Sequence, residues 1–238
     1  MSPSPLLLVA ALLGLLGSAP AMAQALDDSE LVAGFNSVVF SAEITGAFSD
    51  AGYLKKFVRP VRFRIDQIAG PDRQEDVARF IAEVDALVDG LETQIVGQGA
   101  PADFVVHIVD RQGYQERGRA IYGNPLMDVP GNCIVRANFS PRGLRRSDAI
   151  IVADEGDARF RRCMVEEILQ GLGPLNDNAA AAESVFNDTS RLIDFTPYDQ
   201  LILNMLYDPR LSPGMREEDV APLLPAVLDD ARQRLALD

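Results

Sequence analysis

The sequence is poor in the residues that several classes of active site require. Its 238 residues include one histidine, His107, two cysteines and no tryptophan. A catalytic zinc ion usually takes three protein ligands, most often histidines, so this count excludes a three-histidine zinc site. A Ser-His-Asp or Cys-His centre would have to use His107. Phosphate-binding motifs of the forms GxxxxGK[ST] and GxGxxG do not occur in the sequence, so nucleotide binding has no support.

Basic residues are scarce relative to acidic ones. The chain has 22 Lys and Arg against 35 Asp and Glu, which gives a formal net charge of −13. Nucleic acids and anionic membranes bind clustered Lys and Arg. The short basic cluster Arg142–Arg146 fits a solvated loop better than a phosphate site. We therefore expect no nucleic-acid partner.

Long hydrophobic runs do not occur after the first residues. Residues 6–17 (LLLVAALLGLLG) are apolar, but a bilayer span needs roughly 20 such residues. The run is followed by Ala21-Met22-Ala23, an A-x-A cleavage pattern. We expect a signal peptide over residues 1–23, export to the periplasm or the medium, and a mature chain without a membrane span. The alternative is a retained N-terminal anchor, because the first residues carry no Lys or Arg.

The two cysteines, Cys133 and Cys163, have two interpretations. In an oxidising compartment an even count favours a disulfide, which would stabilise the fold by roughly 3–4 kcal/mol. The alternative is a pair of buried free thiols.

Hydrophobic periodicity predicts a single α+β domain, a small mixed sheet with packed helices and further helices at both ends. Alternation or short apolar runs predict strands at 61–65, 104–109, 133–139 and 149–153. Three- and four-residue spacing predicts helices over 29–45, 72–89 and 157–172, one starting at Thr196 and one starting near residue 217. The turn-rich segment 111–131 is predicted to be an irregular rim or lid loop. We place the domain at 29–215 and a C-terminal helical extension at 216–238.

The segment 164–177, MVEEILQGLGPLND, has the spacing of a metal-binding helix. Ligands at i and i+4 share one helix face, as in the zinc motif HExxH, where the intervening Glu is the general base. Metzincins continue with xxGxxH. On this template the sequence places Glu166, Glu167, Gln170, Gly173 and Asn176, with Asp177 next. The glutamate and the glycine match, whereas none of the three histidine positions does.

The longer pattern resembles domain-of-unknown-function family 2927, a family of exported bacterial proteins. The matching stretches are KKFVRPVRFRI (55–65), CMVEEILQGLGPLND (163–177), SVFND (184–188) and, over 196–215, TPYD followed by LYDPRLSPGM. The resemblance implies export and a fold but no reaction. A remoter resemblance to zincins comes from the helix spacing, the preceding apolar strand and a closing helix at 194–207, with Met205 or Met215 in the place of a Met-turn.

Three hypotheses about function follow. The first is a degenerate, non-catalytic metallopeptidase-like cleft that binds a peptide or an envelope component along a strand edge. The second is an atypical metal-dependent hydrolase with Glu167 as general base and no zinc, because carboxylate and amide oxygens suit Ca²⁺, Mg²⁺ or Mn²⁺ better. The third is a structural envelope protein, in which Glu166 and Gln170 face solvent, Gly173 caps the helix and Asn176-Asp177 form a turn. His107 is expected in the core or on a sheet face.

Overall fold

A computed structural model describes residues 27–42 and 50–236. The expected signal peptide, residues 1–23, lies outside these ranges. Among the described residues, no helix combines the length and the apolar character that a membrane crossing needs.

A five-stranded mixed sheet forms the centre of the fold. Its strands lie in the order β2-β1-β3-β5-β4. Strands β1, β2, β3 and β5 are parallel, whereas β4 is antiparallel to β5 and forms one edge. The strands are β1 (Val61–Gln67), β2 (Thr93–Ile95), β3 (Phe104–Val109), β4 (Cys133–Ser140) and β5 (Gly143–Val152).

Seven helices within the described ranges pack around this sheet. They are α1 (Asp28–Val39), α2 (Gln74–Leu87), α3 (Arg111–Tyr122), α4 (Asp157–Gln170), α5 (Pro197–Tyr207), α6 (Glu217–Val220) and α7 (Leu224–Leu235). Helix α5 begins as its sequence predicts: Thr196 is the N-cap, Pro197 follows, and Asp199 completes a capping box. The mixed sheet with packed helices confirms the predicted fold class.

The two faces of the sheet carry different side chains because successive strand residues point to opposite sides. One face packs on α4 through the main core, where the rings of Phe63 and Phe104 stack 4.6 Å apart. The other face packs on α3 in a smaller cluster around Tyr114 and Ile150. Helix α7 buries Leu224, Val227, Leu228 and Ala231 in the main core, so the C-terminal helix is part of the same packing unit.

Four local predictions were wrong. The helix predicted over 29–45 ends at Val39, with Phe40 as its C-cap. Residues 111–122 form helix α3 instead of a loop: Asp110 caps its first turn, and a Cβ at Gly118 would lie 2.5 Å from Val129. The basic cluster is not a solvated loop either, because β5 already begins at Gly143. Helix α4 ends at Gln170, with Gly171 as its C-cap, two residues before the predicted end.

Candidate functional site

Helix α4 brings Glu166, Glu167 and Gln170 into a nearly enclosed position. Phe160, Met164 and Ile168 recur every four residues and bury one side of the helix in the core. Its C-terminal half is buried all round, so Glu166, Glu167 and Gln170 are only 7%, 5% and 5% exposed. The three polar side chains are therefore not the solvent side of an amphipathic helix.

In the turn after α4, Gly173 and Asn176 contact neighbouring segments of the chain. Gly173 has a φ of +145°, and a Cβ there would lie 2.4 Å from the Lys55 carbonyl oxygen. Asn176 Nδ2 donates to the carbonyl oxygen of Ser37, at 3.2 Å. Both residues hold the turn against neighbouring segments: Gly173 has no side chain that could bind a ligand, and the Asn176 amide nitrogen donates to the backbone oxygens of Ser37 and Asp177.

Three carboxylates from three segments meet at Glu166. Carboxylate oxygens of Glu166, Asp177 and Asp188 all lie within 4.8 Å of one another, and we call these residues the carboxylate cluster. Gln170 Nε2 donates to Asp177 Oδ1 at 2.8 Å. Glu166 is buried, Asp177 half-buried and Asp188 exposed, so the cluster runs from the protein interior to its surface.

Glu167 lies on the other side of Glu166, beside a disulfide. Cys133 on β4 and Cys163 on α4 are bonded, with Cα atoms 5.7 Å apart, which confirms the predicted bridge. The Cys133 Sγ atom and one carboxylate oxygen each of Glu166 and Glu167 lie within 4.8 Å of one another. As a disulfide sulfur, this atom is not a thiolate ligand for a metal.

Asp199 fixes the irregular segment that delivers Asp188. Its Oδ1 accepts a hydrogen bond from Ser184 Oγ at 2.6 Å, and its Oδ2 accepts one from Thr196 Oγ1 at 2.7 Å. Asp199 is fully buried, and burial raises its pKa to about 6, although the bonds from Ser184 and Thr196 act in the opposite direction.

Arg162 also contacts this segment and the cluster. It reaches the Asn187 carbonyl oxygen and Glu166 Oε1, each at 3.3 Å. The pair with Glu166 places one guanidinium against the buried end of the carboxylate cluster.

The donor set of the carboxylate cluster suits a hard divalent cation. Calcium binds oxygen ligands at roughly 2.3–2.6 Å, so two ligands on opposite sides of it lie roughly 4.6–5.2 Å apart. The cluster oxygens lie no more than 4.8 Å apart, which does not exceed this span, so one such cation could contact all three residues. Zinc prefers nitrogen or sulfur donors at shorter distances, which this set does not supply.

His107 lies on the opposite face of the sheet. It pairs in register with Asp66 and Ile150, and Ile150 packs in the cluster beneath α3. Its Nε2 lies 3.1 Å from Asp148 Oδ1, and its ring is 6% exposed. The histidine therefore belongs to a sheet-face ion network, as expected, and cannot ligate a metal beside Glu166.

Asp188 is the cluster member that sequence reasoning did not select. It falls in the stretch SVFND, which carries the family resemblance, but in that stretch Asp188 is more typical of a turn than of a ligand site. Asp188 follows Gln170 by eighteen positions of mostly irregular chain, so no helix or strand period predicts the encounter. The available signal was the Asn-Asp pair itself, which repeats the carboxylate–amide composition of Asn176-Asp177.

The comparisons with known proteins give a family. No curated protein matches the chain. A family model described as "Protein of unknown function (DUF2927)" matches residues 28–226, which include β1 to β5, α4, α5 and the carboxylate cluster. The chain therefore belongs to the DUF2927 family.

Proposed function

We propose that this protein is an exported, non-hydrolytic binding protein built on a zincin-like scaffold that has lost its zinc centre. Its ligand is an extended peptide, or a peptide segment of an envelope component, that adds a strand to the outer edge of β4. The observation that carries the proposal is the position of β4. It is one of the two edge strands of the sheet, it runs antiparallel to its neighbour, and a disulfide joins it to the helix with the metallopeptidase-like spacing.

Strand β4 has the features that β-augmentation needs. Within the described residues its one strand partner is β5, so no strand pairs with its other edge, where a ligand strand would add. On the α4 side it presents the half-buried apolar residues Val135, Ala137 and Phe139. A register irregularity between Asn138 and Phe139 breaks the strand's regularity, and such bulges are common at functional edges.

Burial disfavours catalysis at Glu167. A general base must reach a substrate proton within hydrogen-bonding distance or through one water molecule. Glu167 is 5% exposed and lies against the disulfide. A backbone strand docked on β4 needs no access to this carboxylate, so binding accounts for the geometry with fewer rearrangements than hydrolysis does.

Site-specific crosslinking in the envelope tests the peptide proposal. A photoreactive amino acid is placed at Asn138 on β4 and, as a matched control, at the exposed Gln94 on β2, the opposite edge of the sheet. We expect a discrete crosslinked product from position 138 and none from position 94. Equal products from both positions, or none from position 138, would favour a structural role and contradict the proposal.

A second candidate, a metal-dependent hydrolase, is favoured by the carboxylate cluster. In that version Glu166, Asp177 and Asp188, with Gln170 beside them, surround a hard divalent cation, and Glu167 is the general base. The cation would polarise a carbonyl group or a bound water molecule. Elemental analysis of protein purified without chelators tests this version, which requires a stoichiometric metal and a peptidase activity that Glu167→Gln abolishes while leaving metal binding intact.

A further inference from the structure

We propose that Glu166 and Glu167 protect the Cys133–Cys163 disulfide electrostatically and so keep β4 attached to α4 when thiols are present. The inference starts from the proximity of Cys133 Sγ to the two carboxylates, since all three groups lie within 4.8 Å of one another. It concerns the chemistry of the bridge and does not depend on peptide binding, and it applies to the metal-free protein because a cation at Glu166 would neutralise that carboxylate.

The exposure of the two sulfur-bearing residues determines where a reductant attacks. Cys163 is 4% exposed and packs in the main core, whereas Cys133 is only partly buried. An incoming thiolate therefore bonds to Cys133 Sγ, the disulfide bond breaks, and Cys163 leaves as a thiolate that takes up a proton. A thiolate of a second reductant molecule then attacks the reductant sulfur of this mixed disulfide, and Cys133 leaves. The protein gains two electrons and two protons, and the reductant becomes a disulfide.

The first step brings negative charge to the sulfur that faces the two carboxylates. Two like charges at 4–5 Å repel each other appreciably where the surroundings are largely dry. Glu166 and Glu167 are both buried, so water screens their ionised forms poorly. Arg162 lies 3.3 Å from Glu166 Oε1 and offsets part of that charge. In the second step Cys133 leaves as a thiolate beside the same carboxylates, so both steps are disfavoured.

The position of the bridge gives this protection a structural consequence. Cys133 is the first residue of the edge strand, and Cys163 lies one turn before Glu167 on α4. A broken bridge would release the start of β4 from the helix.

A comparison of thiols of different charge distinguishes electrostatic protection of the disulfide from protection by burial alone. The full chain is treated with cysteamine (cationic), 2-mercaptoethanol (neutral) and 3-mercaptopropionate (anionic), and reduction is followed by alkylation and mass spectrometry. Each rate is divided by the concentration of the thiolate form of that reagent, because the three thiols ionise to different extents. The measurement is made in roughly 0.5 M salt, which screens the distant surface charges of this acidic protein. We expect cysteamine to react about tenfold faster than 3-mercaptopropionate, and rates that agree within about twofold would overturn the proposal.

Variants identify the groups responsible. Glu167→Gln should accelerate reduction of the disulfide by the anionic thiol and so make the rates of the three thiols more alike. Asp194→Asn is the matched control, because Asp194 is an exposed carboxylate that pairs with Arg161 outside the cluster, and it should leave the difference unchanged. An undiminished difference in folded Glu167→Gln protein would also overturn the assignment. If that variant does not fold, the comparison of the three thiols on the wild-type chain still shows whether negative charge protects the bridge, and equal rates overturn the proposal.

Discussion

His107 Nε2 lies 3.1 Å from Asp148 Oδ1, across two neighbouring parallel strands and on the face of the sheet opposite α4. Arg146 donates to both oxygens of Asp148, at 2.6 and 2.8 Å. The chain has a single histidine, and its imidazole bonds Asp148. The carboxylate cluster therefore has no histidine.

The Asp148 pairing predicts a loss of stability in acid. Burial tends to raise the pKa of Asp148, but hydrogen bonds from His107 and Arg146 outweigh it and lower the pKa to about 2. The folded pKa lies below the unfolded value of 3.8. The carboxylate therefore stabilises the fold above pH 4, and this contribution is lost as the pH falls toward 2.

Denaturant unfolding of wild-type protein and Asp148→Asn measures this effect. We expect the variant to be less stable by about 2 kcal/mol at pH 7, and the difference to shrink by pH 3. A difference that stays constant between pH 7 and pH 3 would show that the carboxylate charge is not responsible.

Asp199 predicts the opposite dependence on pH. Burial raises its pKa from 3.8 to about 6, so the folded state binds a proton more tightly than the unfolded state between these values. The contribution of Asp199 to stability is fully present below pH 4 and is lost as the pH rises through about 6. Relative to Asp199→Asn, wild-type protein should lose on the order of 2 kcal/mol between pH 4 and pH 8. Denaturant unfolding of both proteins at four pH values tests this. A difference in unfolding free energy that does not change with pH would refute it.

The cation candidate predicts a calcium-dependent rise in thermal stability. A cation that binds only the folded state, and not the unfolded state, stabilises the fold by mass action. Millimolar Ca²⁺ should therefore raise the Tm of wild-type protein by a few degrees. Asp188→Asn removes the exposed member of the carboxylate cluster and should abolish this rise. Asp194→Asn, in the same irregular segment, should retain it. An equal rise in all three proteins would indicate non-specific binding.

Lys55 is a cation buried inside the fold. It is fully buried, and its Nζ donates to the carbonyl oxygens of Val39, Ser41, Ala51 and Tyr53 at 2.6–3.3 Å. Lys55→Met leaves these oxygens without their donor, so we expect it to destabilise the fold by about 2–4 kcal/mol. Arg59→Met, at an exposed position nearby, should change stability by less than about 0.5 kcal/mol. Chemical denaturation compares them, and equal effects would contradict the assigned role.

Gly173 is required by its surroundings as well as by its backbone conformation. Gly173→Ala would place a Cβ 2.4 Å from the Lys55 oxygen and 2.7 Å from Leu206 Cδ2. Gly99→Ala is the control, since Gly99 has a φ of +78° but nothing within 4 Å of an added Cβ. We expect a loss of about 1 kcal/mol for Gly99→Ala and about 2–4 kcal/mol for Gly173→Ala. Equal losses would mean that the contact with Lys55 and Leu206 has no cost.

Local sequence signals predicted those elements whose stability is largely local. Alternation located β1 because Val61, Phe63 and Ile65 face the core in turn. Thr196 and Asp199 revealed the start of α5 because capping uses neighbouring residues. Helix α3 was missed because Gly113 and Gly118 suggest loops. In the structure, the backbone N–H of Gly113 donates to the capping residue Asp110, and the absence of a Cβ at Gly118 leaves room for Val129.

The candidate site was predictable only along its helix. Glu166, Glu167 and Gln170 share one helix, so their spacing placed them together. Asp177 follows after a short turn, and the metallopeptidase template had already placed it beside Gln170. Asp188 arrives through an irregular segment that a buried carboxylate, Asp199, holds in place. Long-range contacts of this kind depend on tertiary packing, which carries no periodic signal in the sequence.

The disulfide also makes part of the chain topologically closed. It spans 30 residues, and the enclosed ring contains all of β5 and the turn at Pro141 and Arg142 that connects β4 to it. Both turn residues are exposed, so a protease can reach this site. A single cut there opens the ring without separating the molecule into two. The cleaved protein should migrate as one species on a non-reducing gel and as two fragments after reduction.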